Sequence, residues 1–211
     1  MLCELFPKHI ADQLKAGQRA EPEQHDEVTV VFSDVVHFTD ISRTISPLKV
    51  KQMLDRLCPA FDKVASKASS VQGRGALEHE LHIVISRTLC STIPFFPLTI
   101  GDAYMGMTNL ENDQDDAFVK NAALFAIDLV TEATKGYIQI CVGFHSGAVV
   151  SNAIGSLNPR YGLFGDTVNT SSRMESNSRA NRILCSEAAY HIMSCNNRLR
   201  RFRCNDVERF H

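Results

Sequence analysis

The chain has 211 residues, of which 44% are hydrophobic, and both values suit one globular domain with a sizeable core. Its formal net charge of -2 at pH 7 argues against a nucleic acid or an anionic membrane surface as the main partner. Seven cysteines, an odd number without a CxxC pair, predict reduced thiols in a cytoplasmic setting rather than a disulfide or zinc framework.

The first third of the chain predicts a helix followed by a buried strand. Apolar side chains at helical spacing predict an amphipathic helix over residues 2–16, and the polar residues 20–27 predict a loop. The β-branched run 28–34 then predicts a buried strand that ends in Asp34. A carboxylate at such a strand end is either a helix cap or a metal ligand.

The next segments predict a long helix and then a stretch without clear structure. Ser46 and Pro47 suit the start of a helix that runs to about residue 67, and Pro59 inside it predicts a bend or a break. Residues 68–98 contain one plausible strand and are unusually long for a loop inside a compact domain. Directly after them, TIGDAYMGM predicts a second strand and turn with a carboxylate, Asp102.

The remaining elements complete an α/β pattern. They are predicted as a helix over 113–133, a strand over 137–144, a second apolar strand after a Ser146–Gly147 turn, a helix from Thr167, a strand over 182–185 and a helix from Ser186. The residues after 194 are polar and basic and predict no regular element. This order is most simply one sheet with helices packed on a face.

Two polar residues of the stretch YGLFGDTVNTSSRMESN (161–177) lie four positions apart. If the residues from Thr167 onward form a helix, Asn169 and Arg173 share one side of it. An amide and a guanidinium that point the same way suit a phosphate with a hydroxyl beside it. The alternative is a solvated helix side with a structural arginine, and these two residues alone leave that alternative open.

Together these pieces resemble the catalytic domain of class III nucleotide cyclases, most closely the guanylate cyclase branch. The resemblance rests on five motifs in register and covers residues 2–67 and 99–194. The motifs are ELFPKHIADQLKAG, EVTVVFSDVVHFTDIS, TIGDAYM, VGFHSGAVVSNAIG and RYGLFGDTVNTSSRMESN.

The resemblance implies a ferredoxin-like α/β sandwich that works as a head-to-tail homodimer or heterodimer, with active sites at the interface. The implied substrate is a purine nucleoside triphosphate, GTP before ATP, which is converted to a 3′,5′-cyclic nucleotide and pyrophosphate. Asp34, Asp102 and the carbonyl of Val35 are the implied ligands of two Mg²⁺ or Mn²⁺ ions, which prefer oxygen ligands.

The resemblance also implies roles for the phosphate turn and for the helix. The backbone N–H groups of Val36, His37, Phe38 and Thr39 are expected to face the phosphates. The family's ribose-orienting asparagine corresponds to Asn169 and its transition-state arginine to Arg173, and in the family both come from the partner subunit.

The sequence departs from the family pattern at three positions. Leu98 stands where guanylate cyclases carry a base-reading Glu, and Gly162 stands where they carry a base-reading Cys. Neither residue can hydrogen-bond a purine edge through its side chain. His37 replaces the glycine that is usual in the family's phosphate turn. A side chain at this position is unfavourable if the backbone there needs a positive φ.

These matches divide the chain into three parts. Residues 1–26 are an N-terminal signalling helix and linker, and residues 27–194 are the catalytic domain. The tail, 195–211, has no counterpart of the family's C-terminal hairpin. The atypical segment 68–98 is either a surface loop or translated intron sequence, and sequencing the transcript distinguishes the two.

Two other functions remain open on the sequence. One is a catalytically impaired cyclase-homology domain that acts as a dimer partner or regulator. The other is an unrelated two-metal phosphohydrolase, which leaves Asn169 and Arg173 unexplained. No apolar run approaches the roughly 18 residues that span a bilayer. The expected location is the cytoplasm, including the cytoplasmic face of a membrane if the chain is part of a longer receptor-type protein.

Overall fold

The computed structural model describes residues 8–70, 103–109, 117–155, 160–195 and 207–209. In these ranges the chain forms six helices and six strands. The helices are α1 (Lys8–Lys15), α2 (Phe38–Thr44), α3 (Pro47–Ser70), α4 (Ala117–Lys135), α5 (Asp166–Asn177) and α6 (Glu187–Cys195). The strands are β1 (Glu23–Val35), β2 (Tyr104–Thr108), β3 (Ile140–Ile154), β4 (Arg160–Phe164), β5 (Ile183–Cys185) and β6 (Val207–Arg209).

One six-stranded mixed sheet organises the domain. The strand order is β2-β1-β3-β5-β6, and β4 pairs with the distal part of β3. The pairs of β1 with β2, β1 with β3 and β3 with β4 are antiparallel, whereas β5 pairs in parallel with both β3 and β6. This mixed sheet with packed helices confirms the predicted fold class.

Helices cover both faces of the sheet, so the prediction that they pack on one face was wrong. Val31 and Val35 of β1 lie in one apolar cluster with side chains of α3, α4 and α6. Val28 and Val30, which alternate with them along the strand, lie in a second cluster with α1. A Cβ atom on Gly143 would lie 1.9 Å from the backbone nitrogen of Glu175, so α5 packs against β3 on this second face. Close contact between α5 and the sheet therefore requires glycine at position 143.

Several predicted boundaries were wrong. Residues 23–27 belong to β1 rather than to a loop, with an irregular register between His25 and Val28. β3 is one continuous strand through Ser146 and Gly147, because these residues pair with β1 and do not turn. Of the two alternatives at Pro59, a bend or a break, the break was wrong, because one helix continues through this residue.

Three elements were not predicted, namely the short helix α2 and the strands β4 and β6. Each is short: α2 buries no residue, and β6 has three residues within the polar tail. The predicted strand at 81–85 and the opening of the helix at 113–116 lie outside the described residues.

Candidate active site

Asp34 lies near the end of β1, half-buried and opposite Cys141 of β3. Its Oδ1 accepts a hydrogen bond of 3.0 Å from the N–H of Val35. Among the described residues, no lysine, arginine or histidine forms an ion pair with this carboxylate. A half-buried carboxylate without a cationic partner is suited to bind a cation.

Two further acidic groups, Glu175 and Cys141, lie near Asp34, and the sequence predicted neither as part of the site. Burial, and then the charge of Asp34, raises the pKa of the Glu175 carboxyl, against a smaller lowering by a hydrogen bond from Ser176. Burial, Glu175 and Asp34 likewise raise the pKa of the Cys141 thiol. Cys141 is half-buried. The local potential is therefore negative, which favours a bound cation.

The described residues contain no cluster of three or more histidine, cysteine, aspartate or glutamate side chains arranged to hold a metal. The second predicted carboxylate, Asp102, lies outside the described residues, as does Leu98. Asp34 and the backbone of Val35 are therefore the predicted metal ligands that the structure places.

The predicted phosphate turn follows β1 directly and leads into α2. The N–H of Val36 donates a hydrogen bond of 2.9 Å to the carbonyl of Gln139, so the sheet already uses this predicted phosphate donor. His37 caps α2 with φ 55° and ψ 31°, a left-handed conformation, and its side chain makes no capping hydrogen bond. A positive φ at the position where the family has glycine means that His37 holds a conformation that costs a non-glycine residue about 1 kcal/mol or more.

The backbone at His37 makes a specific order of stabilities testable. We expect His37→Gly to unfold at a temperature equal to or above that of the unchanged chain, since relief of the left-handed strain offsets the extra freedom of glycine in the unfolded chain. We expect His37→Val to be less stable than His37→Gly by about 1 kcal/mol or more, because a β-branched residue is poorly accommodated at positive φ. Thermal unfolding by circular dichroism measures both changes.

Arg43 provides the matched control, because it lies within α2 in ordinary helical backbone. At this position glycine should be less stable than valine by a few tenths of a kcal/mol, the reverse of the order at His37. If the Gly and Val variants had the same order of stability at both positions, backbone strain at residue 37 would not be the cause of the order there.

Helix α5 has a buried side and an exposed side. Thr167, Ser171 and Met174 are buried. The hydroxyl of Thr167 donates to the carbonyl of Ala148 at 2.6 Å, and the hydroxyl of Ser171 donates to the carbonyl of Val30 at 2.7 Å. These two hydrogen bonds fix the rotation of the helix against β1 and β3.

Asn169 and Arg173 lie on the exposed side of α5, in agreement with their predicted common face. Nη1 of Arg173 is 3.9 Å from Oδ1 of Asp166, and the two side chains are 67% and 83% exposed. An ion pair this exposed contributes little to stability. Both predicted phosphate-handling residues are therefore held outward by a rigid helix and remain available to a second molecule.

Gly162 lies on β4 directly opposite Asn152 of β3. A Cβ atom on Gly162 would lie 3.0 Å from Cζ of Phe164, so the aromatic ring occupies the space beside the bare backbone. His145, in contrast, has a structural environment. Its Nδ1 lies 2.6 Å from the hydroxyl of Ser186, and burial lowers its pKa despite the nearby charge of Asp166.

Comparisons with known proteins agree with this geometry. The family model described as adenylate and guanylate cyclase catalytic domain matches residues 20–74 and 85–210, so the interruption falls within segment 68–98 and the match continues into the tail. The receptor-type guanylate cyclase gcy-19 of Caenorhabditis briggsae is 35% identical over 201 residues. That match covers 92% of this chain and 15% of the relative, so the chain spans a small part of that protein.

Two solved structures are similar in both sequence and fold. The guanylate cyclase domain of RhGC from Catenaria anguillulae, in complex with GTP, is 32% identical with a TM-score of 0.65, covering 81% of this chain and 84% of that one. The catalytic core of a rhodopsin-guanylyl cyclase with converted specificity, in complex with ATPalphaS, is also 32% identical with a TM-score of 0.65, covering 82% and 84%.

No helix in the described part of the chain has both the length and the apolar character that crossing a bilayer requires. The sheet order, the outward side of α5 and the half-buried Asp34 occur here together with a family match over most of the chain. The chain belongs to the family of adenylate and guanylate cyclase catalytic domains.

Proposed function

We propose that this chain is the catalytic domain of a nucleotide cyclase that converts GTP, and less readily ATP, to a 3′,5′-cyclic nucleotide and pyrophosphate in intracellular signalling. The observation that carries the proposal is the two-sided helix α5, which is fixed to the sheet through Thr167 and Ser171 and presents Asn169 and Arg173 to solvent. Groups held outward in this way suit a site completed by a second subunit.

The proposed assembly is a dimer with two composite sites, formed by two copies of this chain or by this chain and a related one. One subunit contributes the end of β1 with Asp34, and its partner contributes Asn169 and Arg173. Each subunit alone then carries two separate half-sites. This arrangement makes cyclase activity depend on assembly.

The residues around Asp34 fit a divalent cation, since Asp34 has no cationic partner among the described residues and shares a negative environment with Glu175. Asp34, the Val35 carbonyl and Asp102 would hold Mg²⁺ or Mn²⁺. When bound, the two ions would lower the pKa of the ribose 3′-hydroxyl and neutralise charge on the triphosphate.

The protein groups have separate roles in the proposed reaction. The 3′-hydroxyl releases its proton to water, its oxygen bonds to the α-phosphorus, the bond from that phosphorus to the bridging oxygen breaks, and pyrophosphate leaves. The Arg173 guanidinium donates two hydrogen bonds to the α-phosphoryl oxygens, where negative charge grows in the transition state. Asn169 hydrogen-bonds the ribose and holds the hydroxyl in line. The N–H groups of His37, Phe38 and Thr39 face the phosphates, whereas that of Val36 stays with Gln139.

The relatives support the choice of substrate and setting. RhGC is described in complex with GTP and gcy-19 as a receptor-type guanylate cyclase. We extend both properties to this chain, and we place it at the cytoplasmic face of a membrane as one part of a longer receptor-type protein.

One observation favours the alternative, a catalytically impaired cyclase-homology domain that serves as a dimer partner or regulator. His37 holds a left-handed backbone in the proposed phosphate turn, where a glycine would leave more room and less strain. The two functions differ in a single measurement, the formation of cyclic product.

The test uses purified chain with Mn²⁺ and either GTP or ATP, over protein concentrations that span dimer formation by analytical ultracentrifugation. We expect cyclic nucleotide and pyrophosphate in equal amounts, a rate per chain that rises as dimers form, and no product after chelation of the metal. Absence of cyclic nucleotide from both substrates in samples that are fully dimeric would reject the cyclase and support the regulatory alternative.

A further inference from the structure

One face of the hairpin formed by β3 and β4 lies outside both apolar clusters, and its residues are half-buried or exposed. Directly opposed residues of antiparallel strands project to the same side, and so do residues two positions apart. Val150 lies opposite Phe164 and Asn152 lies opposite Gly162, so these four residues share one face. The residues between them, including Tyr161 and Leu163, pack on the other side in the second apolar cluster.

Gly162 has no side chain that could hydrogen-bond a base, and the Phe164 ring lies close beside it. A Cβ atom there would lie 3.0 Å from Cζ and 3.3 Å from Cε2 of Phe164. The Phe164 ring remains 44% exposed. An exposed aromatic ring beside a bare glycine forms an apolar wall without hydrogen-bonding groups.

Asn152 is the polar side chain on this face among those that the structure describes. Its Oδ1 is covered from solvent and has no hydrogen-bond partner in the described structure. An unsatisfied buried amide oxygen costs about 1–3 kcal/mol, and this cost is removed when the amide turns its oxygen toward a donor on a ligand. The amide offers one acceptor and two donors, and rotation about χ2 exchanges their positions.

We infer that Asn152 is the specificity-determining residue of this chain, and that its amide contacts the 6-position of the purine in place of side chains at Gly162 and Leu98. The inference rests on the proposed function, because it assigns a part of the same nucleotide site. The oxygen accepts from the 6-amino group of adenine, and the amide nitrogen donates to the 6-carbonyl of guanine. Because one side chain serves both bases, discrimination between GTP and ATP is weak.

The test compares kcat/KM for GTP and ATP, together with direct binding of each nucleotide by calorimetry in Ca²⁺. For the unchanged chain we expect a GTP-to-ATP ratio of kcat/KM within about tenfold. Asn152→Asp should shift that ratio toward ATP by about tenfold or more, because a carboxylate accepts from adenine and repels the guanine carbonyl. Asn152→Leu, which is similar in size, should weaken both nucleotides and leave the ratio near that of the unchanged chain.

Gln52→Glu is the matched control, since it introduces the same charge at an exposed position on α3. It should leave the ratio unchanged, and circular dichroism checks that all variants are folded. If the unchanged chain binds and cyclises nucleotide but neither Asn152 variant alters affinity or ratio, the assignment of Asn152 is wrong while the proposed function stands. If the unchanged chain neither binds nor cyclises GTP or ATP, both are wrong.

Discussion

Asp34→Asn is expected to lower the rate of cyclic nucleotide formation by at least about 1,000-fold. The variant keeps the size of the side chain but removes the charge that would hold the divalent cation. Charge stabilisation by such a cation amounts to several kcal/mol. Each 1.4 kcal/mol lost in the transition state slows the reaction by about tenfold. The measurement is the initial rate with saturating Mn²⁺ and GTP.

The same variant separates a chemical defect from a folding defect. Asp34 raises the pKa of Glu175 by charge repulsion, so removing its charge relieves an unfavourable interaction. We therefore expect the metal-free variant to unfold at a temperature no lower than the unchanged chain. Mn²⁺ at about 100 times its dissociation constant should stabilise the unchanged chain by about 2.7 kcal/mol and the variant by much less.

Asp55→Asn is the control for this experiment, because Asp55 is an exposed carboxylate paired with Lys51 on α3. It should retain full activity and full stabilisation by Mn²⁺. Substantial activity in Asp34→Asn, or equal stabilisation of both variants by the metal, would contradict the assignment of Asp34 as a ligand.

The sequence predicted where Asp34, Asn169 and Arg173 lie in the fold better than it predicted the boundaries of the strands. Asp34, Asn169 and Arg173 were found through local spacing and family motifs, and the structure places them at a strand end and on one helix side. Glu175 was missed because its proximity to Asp34 depends on the packing of α5 against β3. That contact depends on Gly143, where a Cβ atom would lie 1.9 Å from the Glu175 nitrogen.

The wrong prediction of a turn at Ser146 and Gly147 also arises from the packing of α5 against β3. Ser146 and Gly147 predicted a turn, yet a Cβ atom on Gly147 would lie 2.7 Å from the Thr167 hydroxyl. This glycine permits close approach of α5, and pairing with β1 keeps the strand extended. Local patterns cannot distinguish a glycine needed for a turn from one needed for contact with a distant helix.

The boundary at Pro59 shows tertiary context overriding a local penalty. Proline removes one backbone hydrogen bond and predicted either a bent helix or two helical pieces, and of these the break is absent because α3 continues through Ser70. On either side of Pro59, Leu57 and Phe61 are buried in the larger apolar cluster. Burial of these side chains stabilises the helix by several kcal/mol, which is enough to offset the loss at one position.

The exposed position of Arg173 leads to the strongest test of a shared site. Arg173→Ala should lower activity by about 1,000-fold, in the range for arginines that stabilise phosphoryl transfer. Stability should change little, because the side chain is 67% exposed and the ion pair that it forms with Asp166 among the described residues spans 3.9 Å. Arg179→Ala, an exposed arginine just beyond α5, is the matched control and should remain active.

Mixing the two inactive variants then tests whether one active site is formed by residues of two subunits. In a dimer of Asp34→Asn with Arg173→Ala, one site combines the intact Asp34 of one subunit with the intact Arg173 of the other, and the second site lacks both. Random pairing of equal amounts makes half of the dimers mixed, so activity should recover to about a quarter of the unchanged value. Two affinity tags verify the mixed dimers. If verified mixed dimers stay inactive, Asp34 and Arg173 do not meet across an interface, because only a composite site can be rebuilt from two defective chains.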